Sequence, residues 1–150
     1  MRYLAIDLGG KRTGLAVGDD ETGVVTPLRV VEVPRGEALL AAIVAAIEAQ
    51  APDELVLGLP LNMDGTEGAA VKVVREFGET LGERTGRPVH YQDERLTSYA
   101  ADQQMARSGK THKQKKQIRD PLAAAEILRD FLGAEGTGLR VRGSGFGGGG

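Results

Sequence analysis

In residues 2–8 successive side chains alternate between two faces, which is the period of a strand. In Arg2–Leu8, Leu4, Ile6 and Leu8 share one face, and Tyr3, Ala5 and Asp7 share the other. Gly9-Gly10 supplies a turn, Gly14–Gly18 reads as a second strand, and Val24–Val33 as a third. Pro27 cannot donate to a ladder, so it belongs at a strand start or a sheet edge. Three strands joined by short turns predict an antiparallel meander.

The period then lengthens. Glu37–Gln50 sets Leu40, Ile43, Val44 and Ile47 on one stripe and predicts a helix that Pro52 ends. Glu54–Leu59 is apolar without interruption after its first residue, which suits a central strand buried on both faces. A polar, glycine-containing loop runs from Pro60 to Gly68. A second helix is expected over Glu67–Arg84, with Ala70, Val73, Val74, Phe77 and Leu81 facing inward, until Gly86-Arg87-Pro88 breaks it. Val89–Gln92 reads as a fifth strand. Further helices are predicted over Tyr99–Arg107, with Thr97 or Ser98 as N-cap, and from about Asp120 to Leu132. From Gly133 on, nine of eighteen residues are glycine, too little apolar surface to fold, so a disordered tail is expected over 134–150 behind a single domain of 1–133. The element order gives an α/β fold. Three antiparallel strands followed by parallel crossovers make a mixed five-stranded sheet with helices on both faces. The strand carrying Asp7 should sit centrally, beside Glu54–Leu59.

Composition narrows the chemistry. A domain of this length buries roughly 70% of the surface its unfolded chain exposes, so its core needs no staples. With no cysteine there is neither a disulfide framework nor a thiolate metal site. That, and the lack of a signal-like start, leads us to expect a cytoplasmic protein. No apolar run approaches the length of a membrane span, so no membrane partner is expected. The net charge of -2 does not by itself suggest nucleic acid, but residues 107–119 carry +6 with no acid, leaving -8 for the rest. One basic segment on an acidic body suits phosphate binding by a single face; the plainer reading is a solvated loop. No aromatic residue interleaves its lysines, so base stacking by this segment is not expected.

Three carboxylates stand at element edges. Asp7 lies near the end of an apolar strand, where a carboxylate is costly unless it is paired or bound to a cation; otherwise it organises the Gly9-Gly10 turn. Parity puts His90, Gln92 and Glu94 on one face and Val89, Tyr91 and Asp93 on the other, so only one of Asp93 and Glu94 can enter a site. The plainer role for Glu94 is a surface ion pair with Arg95 or Arg87. Asp120 before Pro121 makes a good helix N-cap, which need not exclude ligation. His90 and His112 are poorly placed for zinc. Carboxylate oxygens suit Mg²⁺ or Mn²⁺, and two such ions can clamp both oxygens of a phosphodiester displacement.

Four stretches together resemble the YqgF/RuvX family of the RNase H-like superfamily: Asp7-Leu8-Gly9-Gly10-Lys11-Arg12-Thr13-Gly14-Leu15-Ala16, Val56-Leu57-Gly58-Leu59-Pro60 with Gly65, Asp93-Glu94-Arg95-Leu96-Thr97-Ser98, and Asp120-Pro121-Leu122-Ala123-Ala124. The resemblance spans about Arg2 to Leu132. It implies an RNase H-like fold and a metal-dependent nuclease in the bacterial cytoplasm. It carries over Asp7 as the first-strand carboxylate, Asp120 as the last-helix one, and Glu94 as the third with Asp93 as fallback. It also implies a role in maturing the 5′ end of pre-16S rRNA during ribosome biogenesis, or in resolving Holliday junctions during DNA recombination and repair. Ser98 stands where a second threonine is usual, and the glycine-rich tail lies outside the family pattern.

Beside these acids, Lys11, Arg12 and Arg95 are candidates for substrate phosphate contact, as are Lys113, Lys115 and Lys116 in the basic segment. The plainer reading of Lys11, Arg12 and Arg95 is charge balance for the neighbouring carboxylates. Two other functions compete. Asp7-Leu8-Gly9-Gly10 resembles the phosphate loop of actin-like ATPases and sugar kinases, but their nucleotide sits between two such domains and this chain has length for one. A non-catalytic nucleic-acid-binding module would use residues 107–119 and leave the acids structural. A resolvase cutting two symmetric strands would work as a homodimer, though no dimer surface is legible.

Overall fold

The computed structural model of the protein describes residues 1–94 and 122–133. Within them the chain forms β1 (Arg2–Leu8), β2 (Thr13–Asp19), β3 (Val25–Val31), α1 (Glu37–Gln50), β4 (Glu54–Leu59), α2 (Ala69–Thr85), β5 (Val89–Asp93) and α3 (residues 122–133). The strands make one sheet in the order β3-β2-β1-β4-β5. β1 to β3 form the antiparallel meander, and β4 and β5 add in parallel through α1 and α2. β1 is therefore central and lies against β4. β3 is an edge, which is where Pro27 can be tolerated; the register shifts opposite Leu15 and Ala16 as the strand passes it.

Side-chain alternation divides the core in two. On one face Leu4, Ile6, Leu15, Leu55 and Leu57 pack under α1 and α2. On the other, Tyr3, Ala5, Ala16 and Val56 meet Ala124, Ala125, Ile127, Leu128 and Phe131 of α3. β4 is buried along its whole length because both faces are covered.

α1 keeps most of its expected stripe, while α2 is turned relative to its own. α1 buries Leu39, Leu40, Ile43, Ala46 and Ile47, and leaves Val44 only partly covered. α2 buries Val71, Val74, Gly78 and Leu81, while Ala70 is exposed and Val73 and Phe77 sit at the margin. The reason lies on β5. The Tyr91 ring rises off the sheet into the gap at Gly78, where any Cβ would collide with its hydroxyl. The helix rotates until its smallest residue faces the largest side chain beneath it.

Among the described residues no helix is long and apolar enough to cross a membrane. The expected helix Tyr99–Arg107, the basic run 107–119, Arg95, Asp120 and the segment 134–150 fall outside the described residues.

Candidate functional site

In a sheet of parallel neighbours the carboxyl ends of the strands open onto the ligand-binding edge. β1 and β4 both end there, at Leu8 and Leu59, as does β5 at Asp93. Asp7 shares the α3 face with Tyr3 and Ala5. One residue on from the Ile6–Leu57 pair, the parallel register sets Asp7 beside Gly58 of β4. Gly58 in turn pairs with Gln92 of β5, two residues before Glu94.

Gly58 is the gap that lets the site form. A Cβ built there would lie 2.6 Å from Glu94 Oε2 and 2.6 Å from Ile127 Cδ1. The Glu94 carboxylate thus lies over the β4 backbone, on the α3 face, with an apolar methyl beside it. Asp7 and Glu94 therefore flank one glycine on one side of the sheet. Parity separates Asp93 from Glu94, and of the two it is Glu94 that lies on this face. Burial, and after it the charge of Asp93, pushes the Glu94 carboxyl up to about 7. An acid in that position is relieved by a cation.

The remaining candidates are placed unequally. Lys11 is exposed in the turn after β1, and Arg12 is partly buried there. Arg12 Nε lies 3.8 Å from Glu32 Oε2, a long contact to an exposed acid that costs little to give up. Arg87 is not the partner of Glu94: its Nε donates to the Pro52 carbonyl at 2.7 Å and its Nη1 lies 3.8 Å from Glu48. Among the described residues no group of three or more His, Asp or Glu side chains is placed to hold a metal ion. Asp120, the third expected ligand, lies outside them.

The sequence reading missed two features. Glu54 and His90 are both buried and meet at 2.6 Å (Glu54 Oε1 to His90 Nε2), on the face that carries Asp7 and Glu94 but at the opposite end of the strands. His90 is edged by Tyr3 and Phe131, with ring centroids 6.4 and 5.2 Å away. The β4–β5 register puts Glu54 and His90 on the face of Val56, and nothing in the sequence paired residues 36 apart. The second feature is Arg35, whose Nε donates to the Gly9 carbonyl at 3.1 Å.

A family model described as RuvX, Holliday junction resolvase, matches residues 1–134. The chain belongs to the RuvX family. Its relatives include a protein of Anaeromyxobacter sp. named "Putative pre-16S rRNA nuclease", 42% identical over 88% of this chain and 96% of its own length. A protein of Thiobacillus denitrificans with the same name is 40% identical over 89% of this chain and 92% of its own. Among solved structures, RuvC of T. thermophilus in complex with Holliday junction substrate superimposes with a TM-score of 0.57 at 15% identity, covering 93% of this chain and 97% of that one. The fowlpox virus Holliday junction resolvase gives 0.53 at 13% identity, covering 89% and 99%. At such identities these two establish the RNase H-like fold and no more. Asp7, Gly58 and Glu94 all lie within the span of this chain that matches the RuvX family.

Proposed function

We propose that this RuvX-family protein is a divalent-metal-dependent nuclease that hydrolyses phosphodiester bonds in the 5′-end maturation of pre-16S rRNA, in the cytoplasm. The observation that carries the proposal is the placement of the Asp7 and Glu94 carboxylates on either side of Gly58, at the carboxyl edge of the sheet. The names of the relatives supply the substrate.

The donor set fits a hard cation. It is all oxygen, with no sulfur and no imidazole, and one carboxylate is desolvated beside a second acid. Asp7 and Glu94, with Asp120, would hold Mg²⁺ or Mn²⁺. The chemistry such an ion would supply is polarisation of a phosphoryl oxygen and activation of water for attack at neutral pH. The chain's own residues do the rest. Gly58 leaves the room over β4 in which the Glu94 carboxylate is held beside the strand of Asp7. Ile127 excludes water from one side of Glu94, which strengthens every charge interaction there. Lys11, Arg12 and Arg95 balance the charge of the incoming backbone, and Lys113, Lys115 and Lys116 extend that contact along the strand. The position of Lys11 and Arg12 in the turn directly after Asp7 supports this assignment.

A second reading is resolution of four-way DNA junctions by a homodimer, favoured by the description of the family. A cleavage assay with Mn²⁺ or Mg²⁺ on a pre-rRNA leader and on a four-way DNA junction separates the two. Cutting of the leader, lost in Asp7→Asn while binding persists, is the expected result. Cutting confined to the junction moves the assignment to resolvase. Cleavage undiminished by Asp7→Asn rules out this site.

A further inference from the structure

The β3–α1 connection carries a cation that the sheet topology brings back to the site. Arg35 is exposed, yet its Nε donates to the carbonyl of Gly9, two residues beyond Asp7. The separation of 26 residues makes this a tertiary contact. The Gly9 turn is tight: a Cβ on Gly9 would collide with the Arg12 carbonyl, because the chain folds back onto itself there. Arg35 is thus tied by one nitrogen to a backbone atom at most about 7 Å along the chain from Asp7.

The rest of the guanidinium is not neutralised. Neither of the two acids nearest to Arg35 in sequence pairs with it. Glu32 faces Arg12, and Glu37 takes both terminal amines of Arg84, at 2.8 and 3.2 Å. Among the described residues no carboxylate pairs with Arg35, and its two terminal amino groups have no protein acceptor. An arginine held by Nε alone presents its outer edge as a preset fork of two N–H donors. That geometry matches two oxygens of one phosphate. Because the anchor already restricts the side chain, less rotamer entropy is lost on binding.

We propose that Arg35 is a substrate-positioning residue that grips a backbone phosphate flanking the scissile one. This rests on the nuclease reading above and adds to Lys11 and Arg12 a contact from a different element. Its role is to bind and register the strand. It makes no claim on proton transfer.

The test is the salt dependence of binding, with a single-stranded RNA oligonucleotide as the probe and the full chain throughout. Losing one phosphate contact should flatten the plot of log affinity against log salt by about 0.7 units. Arg35→Ala is expected to show that loss, with an unchanged Tm and with KM raised more than kcat is lowered. Arg35→Lys, which keeps the charge and gives up the planar fork, should restore the slope. If Arg35→Ala melts early, Arg35→Gln keeps an N–H for the Gly9 carbonyl and should still show the flatter slope. A slope unchanged in the alanine and glutamine variants, while the wild type binds with a steep one, leaves Arg35 as a brace for the turn and overturns the proposal. A wild-type protein whose affinity for the oligonucleotide does not respond to salt overturns the nucleic-acid reading itself, and this inference with it.

Discussion

The two faces of the sheet are built differently. Under α1 and α2 the contacts are between large aliphatic side chains: Leu4, Ile6, Leu15, Leu55 and Leu57 against Leu39, Ile43, Ile47 and Leu81. Under α3 the strands offer Tyr3 with the smaller Ala5, Ala16 and Val56, and the helix answers with Ala124, Ala125, Ile127, Leu128 and Phe131. The same face carries a buried acid–imidazole pair at one end and two carboxylates around a glycine at the other. The first face is a core in the ordinary sense. The second packs an apolar helix and also carries acidic side chains toward both ends of its strands. One contrast makes the point: each face has a glycine that admits a bulky neighbour. Gly78 admits a tyrosine, which is packing, and Gly58 admits a carboxylate, which is a candidate ligand.

Breaking the contrast at its strongest point means removing a carboxylate. Asp7→Asn and Glu94→Gln should each lower the cleavage rate by about 10²–10³-fold, as expected when several kcal/mol of transition-state charge stabilisation is lost. Circular dichroism should show folded protein in both cases. Variants that cut at the wild-type rate would return the α3 face to a purely structural role.

The two glycines give a matched pair. Gly58→Ala and Gly78→Ala each force a side chain to shift and should cost about 1–3 kcal/mol in stability. Only Gly58→Ala should also reduce cleavage, measured well below both melting points. Equal activity in the two variants would mean that the position of Glu94 over β4 does not matter.

At the far end of the α3 face, His90→Ala leaves the Glu54 carboxyl buried without its imidazole and opens a gap beside Tyr3 and Phe131. Denaturant unfolding should report a loss of roughly 2–4 kcal/mol. Per-molecule cleavage should hold below the melting point, because this pair is at the opposite end of the strands from Asp7.

The last effect is a slope. In metal-free protein the Glu94 carboxyl is lifted from an ordinary value of 4.5 to about 7. The folded state then binds more protons than the unfolded state between those values, so stability falls as pH rises through that window. Glu94→Gln should flatten the dependence of Tm on pH there. Asp93→Asn, which removes the second cause of the shift, should reduce it in part. Added Mn²⁺ should raise Tm more at pH 7 than at pH 5, because the ion prefers the ionised carboxylate. A Tm insensitive to all three changes would show that Glu94 ionises as an ordinary surface acid.

Much of the fold was legible from periodicity. The alternation in Arg2–Leu8 and the unbroken apolar run of Glu54–Leu59 predicted a central β1 against a doubly buried β4, as found. The rotation of α2 was not legible, because stripes beginning at Ala70 and Val71 overlap in sequence and only the height of Tyr91 chooses between them. For the site, two-residue parity allowed only one of Asp93 and Glu94, the family resemblance favoured Glu94, and the structure puts that carboxylate on the face of Asp7. The pairing of Glu54 with His90 had no sequence signal, since register between strands is decided by packing.

What the sequence determined by itself is the local chemistry: which residues alternate, where glycines and prolines break the chain, and which acids stand at strand ends. These follow from side-chain volume, hydrogen-bonding capacity and period, all properties of neighbours along the chain. What only the tertiary structure decided is which distant groups share a volume. The gap at Gly58 that receives Glu94, the Gly9 carbonyl that holds Arg35, and the aromatic edges around His90 each depend on contacts between elements far apart in the chain. Such contacts are selected by close packing across the sheet, which no local pattern encodes.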